Sequence, residues 1–366
     1  MASASAPTVR KNGRQRKVGY LPSAPGAGDT RRAVADRTLE LDRLHRRVRV
    51  RRTPSLLLTW LGRYFRPPRA VAIEPLPEVV ADEVAITFGG HASALVRYAG
   101  RTIALDPMLG RWVGGVHRAV APGLSPAELA PVGLVLISHG HADHMHGPSL
   151  AHVPTTATVV GPGGTAARLG RRRFARVIEL ADGAAVDLEG VRVEAVEVGH
   201  GAGELGPTLA YTIDGGGPRV FACADGAYGP QYAAVGARAR PDIALLPIGG
   251  FWPRSFRARH MSPLDALYAF EDLRARVMVP IHHGAFPLSY ERLGEPVRWL
   301  RQLIDERDLS EHVRILAPGQ SAVWRGGARL GRAGGAGGGV DGDEPPTVHA
   351  GPWLGASAAL PPDVHA

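Results

Sequence analysis

Apolar runs that stop abruptly at glycine, histidine or aspartate mark out the middle two thirds of the chain. Val84 to Phe88 reads as a strand ending at Gly89-Gly90-His91. Ser93 to Tyr98 and Thr102 to Leu105, joined through Ala99-Gly100-Arg101, predict a hairpin. Leu134 to Ile137 is four apolar residues in succession, the pattern of a buried strand, and it breaks at Ser138. Further strands are expected at Thr158 to Val160, within Val186 to Val198, at Thr208 to Ile213 and Arg219 to Cys223, at Asp242 to Ile248, and at Val277 to Ile281. Ser125 with Pro126 and Glu128, and Ser262 with Pro263, carry the chemistry of helix starts. Gly161 to Gly164 turns into a helix through Leu169, with Arg171, Arg172 and Arg173 behind it; a phosphate-binding reading of this turn is weak, for it lacks a Lys-Ser/Thr pair. Leu293, Val297, Leu300 and Ile304 lie near 3.6 spacing and predict a helix over 289–307. Val313 to Leu316 and Ser321 to Trp324 predict a closing hairpin around Pro318-Gly319. Strands and helices alternate, which suits an α/β fold of two sheets with helices outside.

The strand ends carry the candidate chemistry. His139, His141, Asp143 and His144 fall within six positions directly after the Leu134 run. Imidazole and carboxylate are the usual ligands of zinc and similar divalent ions. So short a loop cannot bring all four to one ion, so His139 and His141 are expected to reach one and Asp143 and His144 a neighbour. A His-rich surface loop that binds nothing is the alternative; the buried strand in front of it argues against that. His200 follows a strand beside Gly201, and Asp225-Gly226 follows another. His260 precedes the Ser262 helix start, and His282-His283 closes the Val277 strand. Taken singly, each is as readily a structural histidine or an ordinary turn.

Composition changes the picture at the two ends. The net charge of +9 is uneven: residues 1–70 hold 17 Lys and Arg against 4 Asp and Glu, the remainder 26 against 30. The basic character therefore belongs to an N-terminal arm, residues 1–80, expected to be largely disordered. Within it, Arg31 to Arg52 could form a helix, and Ser55 to Phe65 could dock on the core or lie at a lipid interface. A basic arm suits an anionic partner, membrane or nucleic acid, or is simply a solvated tail. Residues 81–325 form the expected folded domain, and 326–366 a disordered Gly/Pro-rich tail. Cys223 is the only cysteine, which excludes an intramolecular disulfide and suits a reducing compartment. No apolar run nears the roughly 20 residues of a spanning helix, and no secretory signal is visible. A cytoplasmic protein is expected, with peripheral membrane contact through the arm left open.

The H-x-H-x-D-H string of residues 139–144 after a hydrophobic strand resembles the signature of the metallo-β-lactamase-fold hydrolases. The opening order of strand, Gly90-His91-Ala92, strand, and G-x-x-I-x-x-D-P at 100–107 is similar to one branch of that superfamily. That branch contains the N-acyl-phosphatidylethanolamine-hydrolysing phospholipase D and the ascorbate-6-phosphate lactonases. The resemblance runs over about residues 84–325 and implies an αββα four-layer sandwich. It also implies two metal ions, taken as zinc with manganese or iron open. His139, His141, His200 and Asp225 would hold the first; Asp143, His144, His282 and the shared Asp225 would hold the second. Metals about 4 Å apart would share a water whose pKa falls towards about 7, supplying a bridging hydroxide that attacks a phosphodiester, possibly of a phospholipid, or an ester or lactone. His260 is implied to bind or protonate the substrate oxygen. Asp106 is either a partner that orients a metal-bound histidine or a turn residue before Pro107. The branch usually has Trp where this chain has His283, so His282 is favoured as ligand with His283 open. Gly140, Ala142 and His146 also depart from the branch, so its substrate does not carry over. A nucleic-acid-binding or nucleic-acid-processing metalloprotein, anchored by the arm, is the alternative function.

Overall fold

A computed structural model describes residues 30–170, 174–203, 206–326 and 348–349. The sequence expectations for residues 1–29, the arginine run 171–173 and most of the tail lie outside these.

Alternation within single strands builds the layers. In the strand Ser93–Tyr98, Ala94, Val96 and Tyr98 enter one core while Leu95 enters another. In Leu134–Leu136, Leu134 and Leu136 face the first core, and Val135 faces the opposite way. In Ile243–Pro247, Ile243 and Leu245 share that first core, while Ala244 and Leu246 face helices. With a side-chain period of two, both faces of each sheet are covered, which is why these strands read as unbroken apolar runs. The first core therefore lies between two sheets, and the other two lie between each sheet and its helices. This is the αββα sandwich.

One sheet runs in the order Val348–His349, Ser321–Arg325, Glu83–Gly90, Ser93–Tyr98, Arg101–Leu105, Leu134–Leu136, Thr158–Pro162, Arg176–Leu180. The last four of these are parallel. The other runs Val277–Ile281, Ile243–Pro247, Val220–Ala222, Gly206–Asp214, Val191–Gly203, Ala185–Leu188, with the first three parallel.

Two sequence expectations are corrected. Ser321–Arg325 closes no hairpin with Val313 to Leu316; it pairs antiparallel with Glu83–Gly90, Ile86 opposite Ala322, while Val313 bridges Met278. The helix expected from 289 begins at Glu295. Glu291 is held away from it, because its carboxylate accepts the backbone N–H groups of Gly250 and Trp252 at 2.6 and 3.0 Å.

From residue 30 onward the arm carries two helices that pack on the domain. The helix Thr30–Arg47 buries Leu41 completely in the core behind the second sheet. Burying one leucine stabilises by about 2 kcal/mol. Arg37 pairs with Asp272 at 2.5 Å, and Asp42 with Arg257 at 2.6 Å. The helix Leu56–Tyr64 follows, capped by Ser55, and is tied to the domain by the Trp60 indole N–H donating to the Pro287 carbonyl at 2.8 Å. No helix among the described residues is long and apolar enough to cross a membrane.

Candidate metal centre

The sandwich brings one set of strand ends to a common rim. Leu134–Leu136 delivers His139, Val220–Ala222 delivers Asp225, Val277–Ile281 delivers His282, and Glu83–Gly90 delivers His91. Val191–Gly203 carries His200 near its end.

The 139–144 loop divides as its shortness requires. His139 and His141 gather with His200, whereas Asp143 and His144 gather with His282 and His91. Asp225 stands between the two groups. Its Oδ2 lies 3.4 Å from His200 Nδ1, 3.4 Å from His282 Nε2 and 3.9 Å from His144 Nε2. Asp225 is also within ligand reach of His139 and His144 in one cluster, and of His200 and His260 in another.

Hydrogen bonds at the far ring nitrogens fix three of these imidazoles. His144 Nδ1 donates to Asp106 Oδ2 at 2.7 Å. The Asp106 carboxylate is fully buried and also accepts the Ser138 N–H at 2.8 Å and the Ser138 hydroxyl at 2.5 Å. With its proton spent there, the Ser138 oxygen accepts from His139 Nδ1 at 2.9 Å. His200 Nδ1 donates to the Arg259 carbonyl at 2.8 Å. In each neutral ring Nε2 is left as the lone-pair nitrogen, the orientation that outer hydrogen bonds give to metal-binding histidines. Asp106 thus sits behind His144 as an orienting partner.

The donor set fits divalent cations. His144 Nε2 and both ring nitrogens of His282 are buried without a hydrogen-bond partner. Leaving one such group unsatisfied costs about 1–3 kcal/mol. His139 Nε2 and His141 Nδ1 lie 2.6 Å apart, a separation that needs a proton or a cation between them. The electrostatics agree. Burial opposes charge on Asp225, yet His260, His282 and His200 hold its carboxyl well below the usual range. Asp143 behaves likewise under His144 and His91. Burial, joined by the charge of His144, pushes the His139 imidazole well down, and burial does the same to His282, so both favour the neutral, ligating form. His144 is opposite: burial would lower it, but Asp143 and Asp106 raise it to about 9.

His282, not His283, enters the cluster. The His283 ring packs 5.2 Å from Phe88, and burial lowers its pKa to about 4. His260 lies beside the cluster, its Nδ1 2.9 Å from Asp225 Oδ1. Burial works against its charge, but Asp225 prevails and raises its pKa. His146 caps the short helix Gly147–Leu150, accepting the Ser149 N–H, and does not join the centre. At Gly140 a Cβ would meet the exposed Arg168 side chain at 3.0 Å, a contact that a small shift of that side chain relieves.

Sequence reasoning missed His91. It is buried, its Nε2 lies 2.9 Å from Asp143 Oδ2, and its ring is 4.4 Å from that of His282. The available signal was its position at a strand end after Gly89-Gly90, the same placement as His139.

The cluster opens into a pocket of about 190 Å³. His141, Asp143, His200, Asp225, His260 and His282 line its floor, and Phe256, Arg259 and Leu288 are among the other residues around it.

A family model described as a beta-lactamase superfamily domain matches residues 101–283. A metal-dependent hydrolase of Methanopyrus kandleri is 30% identical over 244 residues, 64% of this chain and 98% of that one. Among solved structures, a metallo hydrolase of the archaeon Ignicoccus hospitalis covers 66% of this chain and 98% of its own, with a TM-score of 0.54 and 23% identity. An isothiocyanate hydrolase from gut bacteria of Delia radicum covers 65% and 97%, with a TM-score of 0.55 and 20% identity.

Proposed function

The chain belongs to the beta-lactamase superfamily of metal-dependent hydrolases, and from that premise we propose that it works with two metal ions on a phosphodiester, or on an ester or lactone, of a small-molecule or lipid substrate. The observation that carries this reading is the pair of histidine groups joined through Asp225, with His144 Nε2 and both His282 nitrogens unpartnered. His139, His141, His200 and Asp225 would hold one ion; Asp143, His144, His282 and Asp225 the other. Divalent ions held there supply an acidified water at neutral pH and Lewis-acid polarisation of the bond under attack.

The chain's own groups do the rest. Asp106, Ser138 and the Arg259 carbonyl hold the imidazoles in one orientation, so that little reorganisation accompanies the reaction. His260 keeps a proton at the pocket wall beside Asp225 and is placed to pass it to a leaving oxygen, which makes it the general-acid candidate. Arg259 at the pocket supports a substrate bearing an anionic group.

The test is a panel of an activated phosphodiester, a carboxylic ester and a lactone, assayed with zinc, manganese or iron while bound metal is measured. Two ions per chain and turnover of one class are expected. Full activity with one ion overturns the dinuclear reading. Two bound ions without turnover of any class overturns the substrate reading.

A further inference from the structure

The helix Leu56–Tyr64 turns its large apolar side chains away from the protein. Leu57, Leu61 and Tyr64 are more than half exposed, Leu58 is 69% exposed and Phe65, just beyond the helix, 87%. Positions 57, 58, 61, 64 and 65 follow the spacing of one helical face. Trp112, on a neighbouring hairpin, extends the patch, its ring 5.2 Å from Tyr64. The opposite face is the docked one, through Trp60.

Through its docked face the helix adjoins the pocket wall. Trp60 binds the carbonyl of Pro287, and Leu288 and Ser289 line the pocket. The chain ahead of the helix runs along the same segment: Thr53 N–H donates to the Tyr290 carbonyl, and Arg292 N–H to the Arg51 carbonyl.

The segment that carries this helix is charged with one sign. From residue 43 to residue 73 there are nine arginines and no Asp or Glu. Burial, with Arg66 beside it, lowers the pKa of the Arg63 guanidinium, and burial, with Arg111 and Arg63, lowers that of the His117 imidazole.

We propose that Leu57, Leu58, Leu61, Tyr64, Phe65 and Trp112 form a docking face for an anionic lipid surface, on a helix packed beside the pocket wall. Aliphatic and aromatic side chains ringed by arginine match the acyl boundary and the phosphate headgroups of such a surface. A second copy is a poor occupant: a two-fold interface sets a patch against itself, and here it would oppose arginine to arginine. Nucleic acid is a poorer one, for three exposed leucines offer nothing to phosphate. This inference does not depend on the reaction proposed above.

The test is co-sedimentation of the full-length protein with vesicles of phosphatidylcholine, with and without phosphatidylglycerol. Binding to the mixed vesicles and much weaker binding to phosphatidylcholine alone are expected. Leu58→Glu with Phe65→Glu is expected to lower the bound fraction roughly tenfold or more, since two anchoring side chains become anions at an anionic surface. Both positions are exposed, so circular dichroism and hydrolysis of a soluble substrate should be unchanged. Arg63→Gln with Arg66→Gln tests the charge separately and should erase the preference for phosphatidylglycerol. The proposal is overturned by absent wild-type binding, or by equal binding of the Leu58→Glu, Phe65→Glu protein. It is equally overturned by a dimer in solution that this variant dissolves, or by variant-sensitive retention of DNA or RNA in place of vesicles.

Discussion

Nε2 of His91 stands 2.9 Å from Oδ2 of Asp143, across 52 residues of sequence. The carboxylate is held in its ionised form, so the imidazole donates and Asp143 accepts. His91 thereby does for Asp143 what Asp106 does for His144. His91→Ala is expected to weaken metal binding at the Asp143, His144, His282 group by about 10–100-fold, the usual cost of losing such an orienting bond. Competition with a chromophoric chelator measures it, and His91→Gln should recover part of the affinity. Affinity unchanged in His91→Ala would falsify the orienting role.

Among the described residues, Asp225 is the carboxylate that faces both histidine groups. Asp225→Ala is therefore expected to lower occupancy at both sites together and to reduce hydrolysis to background. Elemental analysis after dialysis reads the metal content. A variant that retains its full complement of metal does not need Asp225 as a bridge.

Removing Asp106 should act at a distance. In Asp106→Ala the Ser138 N–H, the Ser138 hydroxyl and His144 Nδ1 lose a shared buried acceptor. Each such loss costs on the order of 1–3 kcal/mol, so Tm should fall clearly. Asp106→Asn keeps one acceptor oxygen and most of the shape. It should fold more stably than Asp106→Ala and still bind metal about 10–100-fold more weakly than wild type. Equal metal affinity in Asp106→Asn and wild type separates a merely structural Asp106 from an orienting one.

The layers and much of the histidine and aspartate cluster were legible because both are written locally. A buried strand is an unbroken apolar run, and the groups at its end follow it directly, as His139 follows Leu134–Leu136 and His282 follows Val277–Ile281. What stayed hidden depends on distant partners. Gly89-Gly90-His91 follows a strand as His139 does, but reads equally as a turn; Asp143 and His282, folded beside it, give His91 its place. Ser321–Arg325 pairs with Glu83–Gly90, a contact that no local period encodes. Apolar spacing alone would start the last long helix early, but Glu291 is committed to the Gly250 loop. The Arg-rich arm reads as solvated, yet Leu41, Arg37 and His45 each find a buried partner or a core in the second half of the chain.

His45 links that arm to the edge of the metal centre and gives it a pH dependence. Its Nδ1 donates to the Leu41 carbonyl at 2.6 Å, and its Nε2 lies 2.7 Å from the oxygen of the Ser262 hydroxyl, which itself donates to Asp265 Oδ2 at 2.8 Å. Ser262 caps the helix that follows His260. Burial, aided by Arg257, outweighs Asp265 and Asp42 and lowers the imidazole below its ordinary 6.5. A histidine depressed on folding binds protons more weakly in the folded chain than in the unfolded one. Its stabilising contribution is therefore complete above pH 6.5 and falls away as the pH drops through that value towards the folded pKa. His45→Gln removes the titration, so the fall in Tm on acidification below 6.5 should be shallower than in wild type. The two curves, recorded on metal-loaded protein, are compared by slope, because the lost imidazole packing against Trp299 shifts Tm at every pH. Parallel curves would mean that the docked helix does not sense protons through His45.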